Sequence, residues 1–403
     1  MRIIIIGNGI AGISALREMR KYDKSSEIIV LSREKLDETR PFYSPAAIPY
    51  YIEGRLSKDN LFSRDVSFYQ KNKAKLYLGE DVKFIDTSKK IVSTGRREIP
   101  YDRLIIASGA SPRRLKIPNS DMALVVRTYD DAERLKSSAG KEIAIIGAGP
   151  VGVEIALSLR KLGKRVKLIE ALENVLSTVF SKKLSNMIEN NLRRDGIEIY
   201  KEEKVIELKD EPERGVKTEG GFYRADTIVM AVGVKPNTEF VDESIRLGKS
   251  GGIIVDEFMR TSSPDVFAAG DCIELKHALE DAVSPIPTWT NAFETGKIAG
   301  ANVAGESVKH DGGVRLNSIN IDDKAFFSLG NVWKYDEEIE IEKDGLLELY
   351  YSRDGKIVGA EMVGDVRWSG LLKRYLMRRR EIFPVFNGID EVKKTLLDQD
   401  LLF

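Results

Sequence analysis

Apolar positions fall into one block that occurs twice. Arg2–Ile6 is a short apolar run, which predicts a strand buried on both faces. Gly7-Asn8-Gly9-Ile10-Ala11-Gly12 follows at once, Ile13, Leu16 and Met19 then recur at helical spacing, and a second apolar run covers Glu27–Leu31. The same order returns later. Glu142–Ile146 leads into Gly147-Ala148-Gly149-Pro150-Val151-Gly152, Val153, Ile155, Ala156, Leu159 and Leu162 predict a helix ending at Gly163, and Arg165–Ile169 predicts the next strand. Strand, G-x-G-x-x-G turn, helix, strand is the arrangement that grips a dinucleotide. Gly7 permits the tight turn, Gly9 lets the backbone approach a pyrophosphate, and Gly12 lets helix and sheet pack closely. Gly147, Gly149 and Gly152 repeat these tasks. The phosphate sits on the first helical turn, at Ile10–Ala11 or Pro150–Val151, where free N–H groups and the helix dipole favour an anion. Two copies imply two bound dinucleotides or two halves of a repeated architecture.

Glu170 closes the strand after the second copy, 23 positions beyond Gly147. A carboxylate there binds a ribose 2′-hydroxyl and repels a 2′-phosphate, which favours NADH over NADPH. From residue 309 the pattern changes. Phe326–Gly330, Leu346–Tyr351 and Lys356–Val363 predict strands, the last two joined by a tight turn at Asp354-Gly355. Val366–Arg380 predicts an amphipathic helix with Trp368, Leu371, Leu372, Tyr375 and Leu376 on one side and Lys373, Arg374, Arg378 and Arg380 largely elsewhere.

Composition narrows the chemistry. The 403 residues are long enough for two or three domains of about 150 residues each. With 63 basic residues against 63 acidic ones, no positive excess exists to neutralise nucleic-acid phosphates. The single cysteine, Cys272, excludes an intrachain disulfide, a cysteine-based zinc site and a two-thiol redox centre. With only His277 and His310, no histidine-rich metal site is expected. Redox chemistry then requires an organic cofactor. The apolar stretch Ile143–Leu159 is short for a membrane span and carries Glu154, three glycines and Pro150. The start of the chain lacks a signal-peptide cleavage region. The expected location is the cytoplasm, with no membrane partner.

In this frame the chain resembles the two-dinucleotide-binding flavoproteins of the pyridine nucleotide-disulfide oxidoreductase superfamily. Leu104-Ile-Ile-Ala-Ser108-Gly109 is similar to the turn closing the first FAD segment, and Thr227–Thr238, with Gly233, to the return from the NAD domain. Thr261–Asp271 is similar to the late FAD motif, whose Gly270-Asp271 pair implies an aspartate on the flavin's ribityl chain. The resemblance covers residues 1 to about 305 and implies FAD on the first fingerprint and NADH on the second. It nominates Glu34 for the FAD ribose and Arg40-Pro41 for the flavin segment. Glu154 is placed near the nicotinamide, and Trp289-Thr290 at the start of a helix aimed at the flavin.

The stretch Arg40–Ile52 departs from the family's thiol enzymes. Their cysteine aligns near Ala46, so a thiolate relay is excluded. Rubredoxin and ferredoxin reductases and the nitrite reductase flavin domain are similar at Arg40–Ser44, but Pro45 stands where their lysine would be, which removes the partner of any Lys–Glu pair beside the nicotinamide. Cys272 reads as a small buried residue in a tight turn.

The expected fold is α/β: two Rossmann-like domains, the NAD(H) domain inserted in a split FAD domain, plus a small α+β C-terminal domain. The expected boundaries are 1–110 and 226–308 for FAD, 111–225 for NAD(H) and 309–403 for the C-terminal domain. The expected function is transfer of hydride from NADH to FAD, then of electrons to a carrier protein such as rubredoxin or ferredoxin. Rival readings are an NADH oxidase using O2 and the flavin subunit of a larger complex. The basic stretch Lys373–Arg380 could dock an acidic carrier, and an apolar patch at Phe383, Val385, Phe386 and Leu401–Phe403 could meet a complex. A homodimer is compatible with each reading, and no metal ligand set is expected.

Overall fold

The computed structural model describes residues 1–343, 345–367 and 369–377. The first block folds as β1 (Arg2–Ile6), α1 (Ile10–Tyr22) and β2 (Glu27–Ser32), followed by β3 (Ala74–Leu78) and β4 (Arg103–Ile106). The second block gives β5 (Glu142–Ile146), α2 (Pro150–Lys161), β6 (Arg165–Ile169), α3 (Lys182–Arg194), β7 (Ile197–Tyr200) and β8 (Thr227–Met230). Next come β9 (Val266–Ala268) and α4 (Trp289–Val303). The remainder forms β10 (Leu316–Ile321), β11 (Lys324–Gly330), β12 (Glu337–Lys343), β13 (Leu346–Arg353), β14 (Lys356–Val363) and α5 (Ser369–Met377).

Each fingerprint block builds its own parallel sheet, in the order β9-β4-β1-β2-β3 for the first and β7-β6-β5-β8 for the second. Ile3, Ile4 and Ile5 are fully buried, as are Ile143 and Ile145. Burial on both faces is why these strands are apolar without alternation. The order of the first sheet has a long-range consequence. The chain leaves at β4, completes the whole second sheet, and returns as β9 with Val266 against Leu104 and Ala268 against Ile106. The second unit is thus inserted into a split first unit. The two crossings lie side by side, since Ala110–Pro112 pairs antiparallel with Val234–Pro236.

Helix α4 packs against α1 with almost no side chain between them. A Cβ built on Gly296 would sit 2.3 Å from the Ala11 carbonyl oxygen, and one on Gly300 2.3 Å from that of Ala15. Only glycine at both positions allows backbones this close.

The C-terminal unit is an antiparallel sheet in the order β10-β11-β14-β13-β12. Asp354 and Gly355 have φ of 52° and 69°, the two positive values a tight two-residue hairpin turn needs. The pattern left β10 and β12 unread. β12 (Glu-Glu-Ile-Glu-Ile-Glu-Lys) is a charged edge strand, and its glutamates blunt an open edge rather than mark a core. The helix expected over Val366–Arg380 is α5, with Leu372 and Leu376 buried. Trp368, Arg378, Arg380, Phe383, Val385, Phe386 and Leu401–Phe403 lie outside the described residues. The described Lys373 ammonium is 2.5 Å from the Glu294 carboxylate on α4.

Candidate functional site

The glycines of both fingerprints have the backbone geometry that a sharp strand-to-helix turn needs. Gly7 and Gly147 have φ of 111° and 99°, so the strand can turn sharply into its helix. A Cβ on Gly12 or Gly152 would lie 2.0 Å from the carbonyl oxygen of Gly7 or Gly147, closing the helix onto the turn. A Cβ on Gly9 or Gly149 would meet nothing within 4 Å. Each middle glycine therefore faces open space at a helix N-terminus, α1 in one case and α2 in the other. That is a cradle for a diphosphate approached by bare backbone.

A cleft of about 370 Å³ opens in front of the first fingerprint, walled by Gly7–Gly9, Glu34, Pro41, Ser108, Gly109 and Arg127. Asn8 ties this wall together. Its side-chain N–H donates to the Pro41 carbonyl (2.8 Å), and its Oδ1 accepts from the Tyr69 hydroxyl (2.6 Å). Glu34 accepts from the Tyr43 hydroxyl at 2.6 Å, and that hydroxyl in turn accepts the Tyr129 N–H at 2.9 Å. Burial pushes the Glu34 carboxyl above its ordinary range, while Tyr43 and Arg127 oppose the shift.

Arg127 carries no motif, and the sequence reading missed it. Its guanidinium reaches the Ala110 carbonyl at 3.3 Å, and its charge acts on both Glu34 and Asp271. A cation in the wall of this cleft suits an anionic ligand. Tyr43 was also missed, because its role depends on two residues remote in sequence.

The other nominated residues divide by position. Ser108 donates its hydroxyl to the Asn237 carbonyl (2.7 Å), and the Asn237 amide donates back to Ser108 (2.9 Å), which joins the two chain crossings. Gly109 and Gly233 have φ of 69° and 92° at those crossings. Gly270 lies against α1, where a Cβ would come 2.9 Å from that of Ala11. Its N–H donates to the Thr295 hydroxyl at 3.0 Å. Asp271 beside it has its carboxyl pushed up by burial and drawn down by Arg127. Arg40 does not line the cleft and pairs with Asp59 at 2.6 Å on the surface. Trp289 and Thr290 open α4 and do not line the cleft either. Trp289 is 47% exposed and stacks on Phe293 with ring centroids 5.4 Å apart. Cys272 is fully buried, its thiol against the carbonyls of Ala269 and Ile106, and burial pushes its pKa up.

At the second fingerprint, Glu170 accepts the Ala148 N–H at 2.6 Å and the Leu172 N–H at 3.0 Å. The carboxylate thus sits on the glycine turn itself, beside the place a ribose would take. Glu154 lies one turn into α2. Its carboxyl is half-buried and has no hydrogen bond or ion pair among the described residues, and burial pushes its pKa up to about 7. Among the described residues, no group of three His, Cys, Asp or Glu could hold a metal ion, and no helix is long and apolar enough to cross a membrane.

The family model for pyridine nucleotide-disulphide oxidoreductases matches residues 1–296. An NADH oxidase of Methanocaldococcus jannaschii is 30% identical, over 91% of this chain and 88% of that protein. A rubredoxin-NAD(+) reductase of Ectopseudomonas oleovorans is 29% identical, over 92% and 98%. The assimilatory nitrate reductase electron transfer subunit of Bacillus subtilis is 30% identical over 94% of this chain, which spans only half of that longer protein. Among solved structures, the water-forming NADH oxidase of Lactobacillus brevis bound to NADH superposes with a TM-score of 0.87 at 23% identity, covering 99% of each chain.

Proposed function

The chain belongs to the pyridine nucleotide-disulphide oxidoreductase family, and on that premise we propose that it passes electrons from NADH through FAD to a small carrier protein without a redox-active cysteine. It is an oxidoreductase whose cofactors are FAD and NADH. The observation that carries the reading is the pair of glycine cradles, set beside a segment, Pro45–Ile52, that holds no thiol.

The residues of the first cleft fit FAD. Gly9 and the α1 N-terminus would take its diphosphate and Glu34 its adenosine ribose; Gly270-Asp271, which do not line that cleft, would take its ribityl chain beyond it. The N-terminus of α4, at Trp289 and Thr290, would offer its N–H groups to a negative flavin. When bound, FAD supplies the capacity to accept a hydride and release single electrons. Gly149 and the α2 N-terminus would hold the diphosphate of NADH, Glu170 its ribose, and Glu154 would face its nicotinamide. Residues 111–225 would make up the NADH unit, and 1–110 with 226–308 the FAD unit. Residues 309–403 would form the third unit.

Anaerobic mixing of the FAD-loaded protein with NADH should bleach the flavin band near about 450 nm. Absence of bleaching would refute the proposal. The carrier is tested by turnover with rubredoxin or ferredoxin against turnover in air alone. The Methanocaldococcus jannaschii relative supports a second reading, an NADH oxidase; equal turnover in air with and without carrier would favour it. The Bacillus subtilis relative supports a third, a subunit of a larger assembly, which the native mass in cell extract would reveal.

A further inference from the structure

A second cavity, of about 270 Å³, lies at the far end of α1 from the first fingerprint. That helix is 13 residues long, so the cavity stands about 20 Å from the glycine turn. Its walls are Arg17, Arg20, Lys21 and Lys24 on one side and Lys71, Asn72 and Lys73, from the turn leading into β3, on the other. Six of these seven residues are cations and none is acidic, in a chain whose basic and acidic residues balance at 63 each.

Arg20 builds the cavity. Its guanidinium is buried and donates to four carbonyls: Asn72 at 2.7 Å and Lys73 at 3.1 Å on one side, Asp23 at 2.9 Å and Ser26 at 2.8 Å on the other. One buried side chain thus clamps the turn before β3 onto the end of α1 and sets two lysine-bearing segments face to face. The Lys24 ammonium is held there as well, donating to the Arg20 carbonyl at 2.6 Å.

Cations at a helix C-terminus offset its dipole, which accounts for Arg20 and Lys21. It does not account for Lys71 and Lys73, which belong to another element, or for Arg17, more than a turn back. The nearby acids are engaged. Glu18 pairs with Lys21 at 2.8 Å, and Asp23 accepts the N–H groups of Ser25 and Ser26 at 2.9 Å. Asp65, whose carboxyl feels the Lys71 charge, accepts the Ser67 N–H at 2.9 Å. The Arg17 guanidinium lies 5.6 Å from the centroid of the Phe293 ring. Arg17, Lys71 and Lys73 are exposed and have no ion-pair partner among the described residues. Like charges gathered round a concave surface repel one another, and an anion seated among them removes that repulsion.

We propose that this cavity binds a polyphosphate group, taken up by charge alone and separate from the two dinucleotide sites. What the walls lack fixes the class. They hold no glycine cradle, no carboxylate for a ribose and no aromatic face for a base, so no nucleoside is read. Lysine ammonium groups are compact point charges with rotatable donors, suited to the oxygens of a phosphate chain, whereas a planar carboxylate is matched best by an arginine fork. Bound there, the chain would join α1 to the turn before β3 and reinforce the clamp made by Arg20. The site does not depend on which dinucleotide occupies which fingerprint.

The test is calorimetric titration of the FAD-loaded full chain with inorganic tripolyphosphate, with NAD+ in excess so that both glycine cradles are filled. Tripolyphosphate should bind at one site per chain, more weakly as salt rises, and should raise Tm. ATP, whose terminal phosphates offer the same charge, should bind no more tightly. Lys71→Ala combined with Lys73→Asn should lower the affinity about tenfold and abolish the rise in Tm. Asparagine is chosen because Lys73 has a φ of 47°, which that residue tolerates. Unchanged flavin content reports that the variant is folded. Lys204→Ala combined with Lys249→Ala removes the same charge from exposed residues outside the cavity and should change nothing. Absence of binding to the unaltered protein, or an equal loss in both double variants, overturns the proposal. ATP bound far more tightly than tripolyphosphate would also overturn it, because the site would then read the nucleoside. Phosphatidylglycerol vesicles that capture the chain while tripolyphosphate fails to compete would assign the surface to a membrane instead.

Discussion

Glu170 shows what one side chain can do twice. It accepts two backbone N–H groups of its own turns, holding the loop in shape, and on the proposed reading the same carboxylate would take a ribose. Glu170→Ala should raise the Michaelis constant for NADH about tenfold, the value of one charge-assisted hydrogen bond at roughly 1.5 kcal/mol. FAD content should be unaffected, because Glu170 is remote from the first cleft. An unchanged constant would remove Glu170 from the ribose. The residues legible in the sequence at this scale are those bound to a local turn, such as Gly7, Gly9 and Gly12. Arg127 and Tyr43 were illegible because their partners, Glu34 and Asp271 for one and Glu34 and Tyr129 for the other, are brought to them only by tertiary folding.

Among elements, the α1–α4 crossing is the sharpest constraint. It brings Gly296 and Gly300 onto the backbone of the first fingerprint helix and holds the Gly270 turn beside Ala11. Gly300→Ala has no room, since a Cβ would lie 2.3 Å from a backbone oxygen that cannot swing aside. The substitution should cost about 1–3 kcal/mol of stability and loosen FAD, read as a lower Tm and a lower flavin content after purification. A normal Tm and full flavin content would show that the crossing has slack. The helix pattern was readable from apolar spacing. β12 was overlooked although Glu338–Glu342 alternates Glu and Ile, the pattern of a half-buried strand, with Ile339 and Ile341 packed on the C-terminal core and the glutamates on an open edge.

On the scale of the molecule, the C-terminal sheet is tied to the second unit through a buried carboxyl. Glu361 on β14 is fully buried and accepts the Ser181 N–H at 2.7 Å and the Tyr351 hydroxyl at 2.6 Å. Ser181 caps α3, so one residue joins a sheet to the neighbouring unit's helix. Trp333 adds a hydrogen bond to the Ser177 carbonyl, and Lys183 an ion pair to Glu340. Glu361→Ala leaves two buried donors unanswered and should cost roughly 2–4 kcal/mol. The C-terminal sheet should become the first segment cut in limited proteolysis. The carboxyl's pKa is raised by burial. Its contribution is therefore greatest below the unfolded carboxyl's pKa and declines as pH rises through the folded value, so the unaltered protein should lose some thermal stability as pH rises across that interval, and Glu361→Gln should lose less.

The sequence by itself determined the two strand–turn–helix blocks, their glycine chemistry and the lack of a thiol. These follow from short-range rules: a turn that needs positive φ, a helix N-terminus that attracts an anion, a residue type that is present or absent. Only the tertiary structure decided which residues wall the first cleft, that Arg40 and Trp289 stand outside it, that Lys373 is committed to Glu294, and that Glu154 has no partner among the described residues. Those outcomes depend on neighbours tens to hundreds of positions away. Whether a charge is paired or stranded is a property of the space around it, and no local pattern records that space.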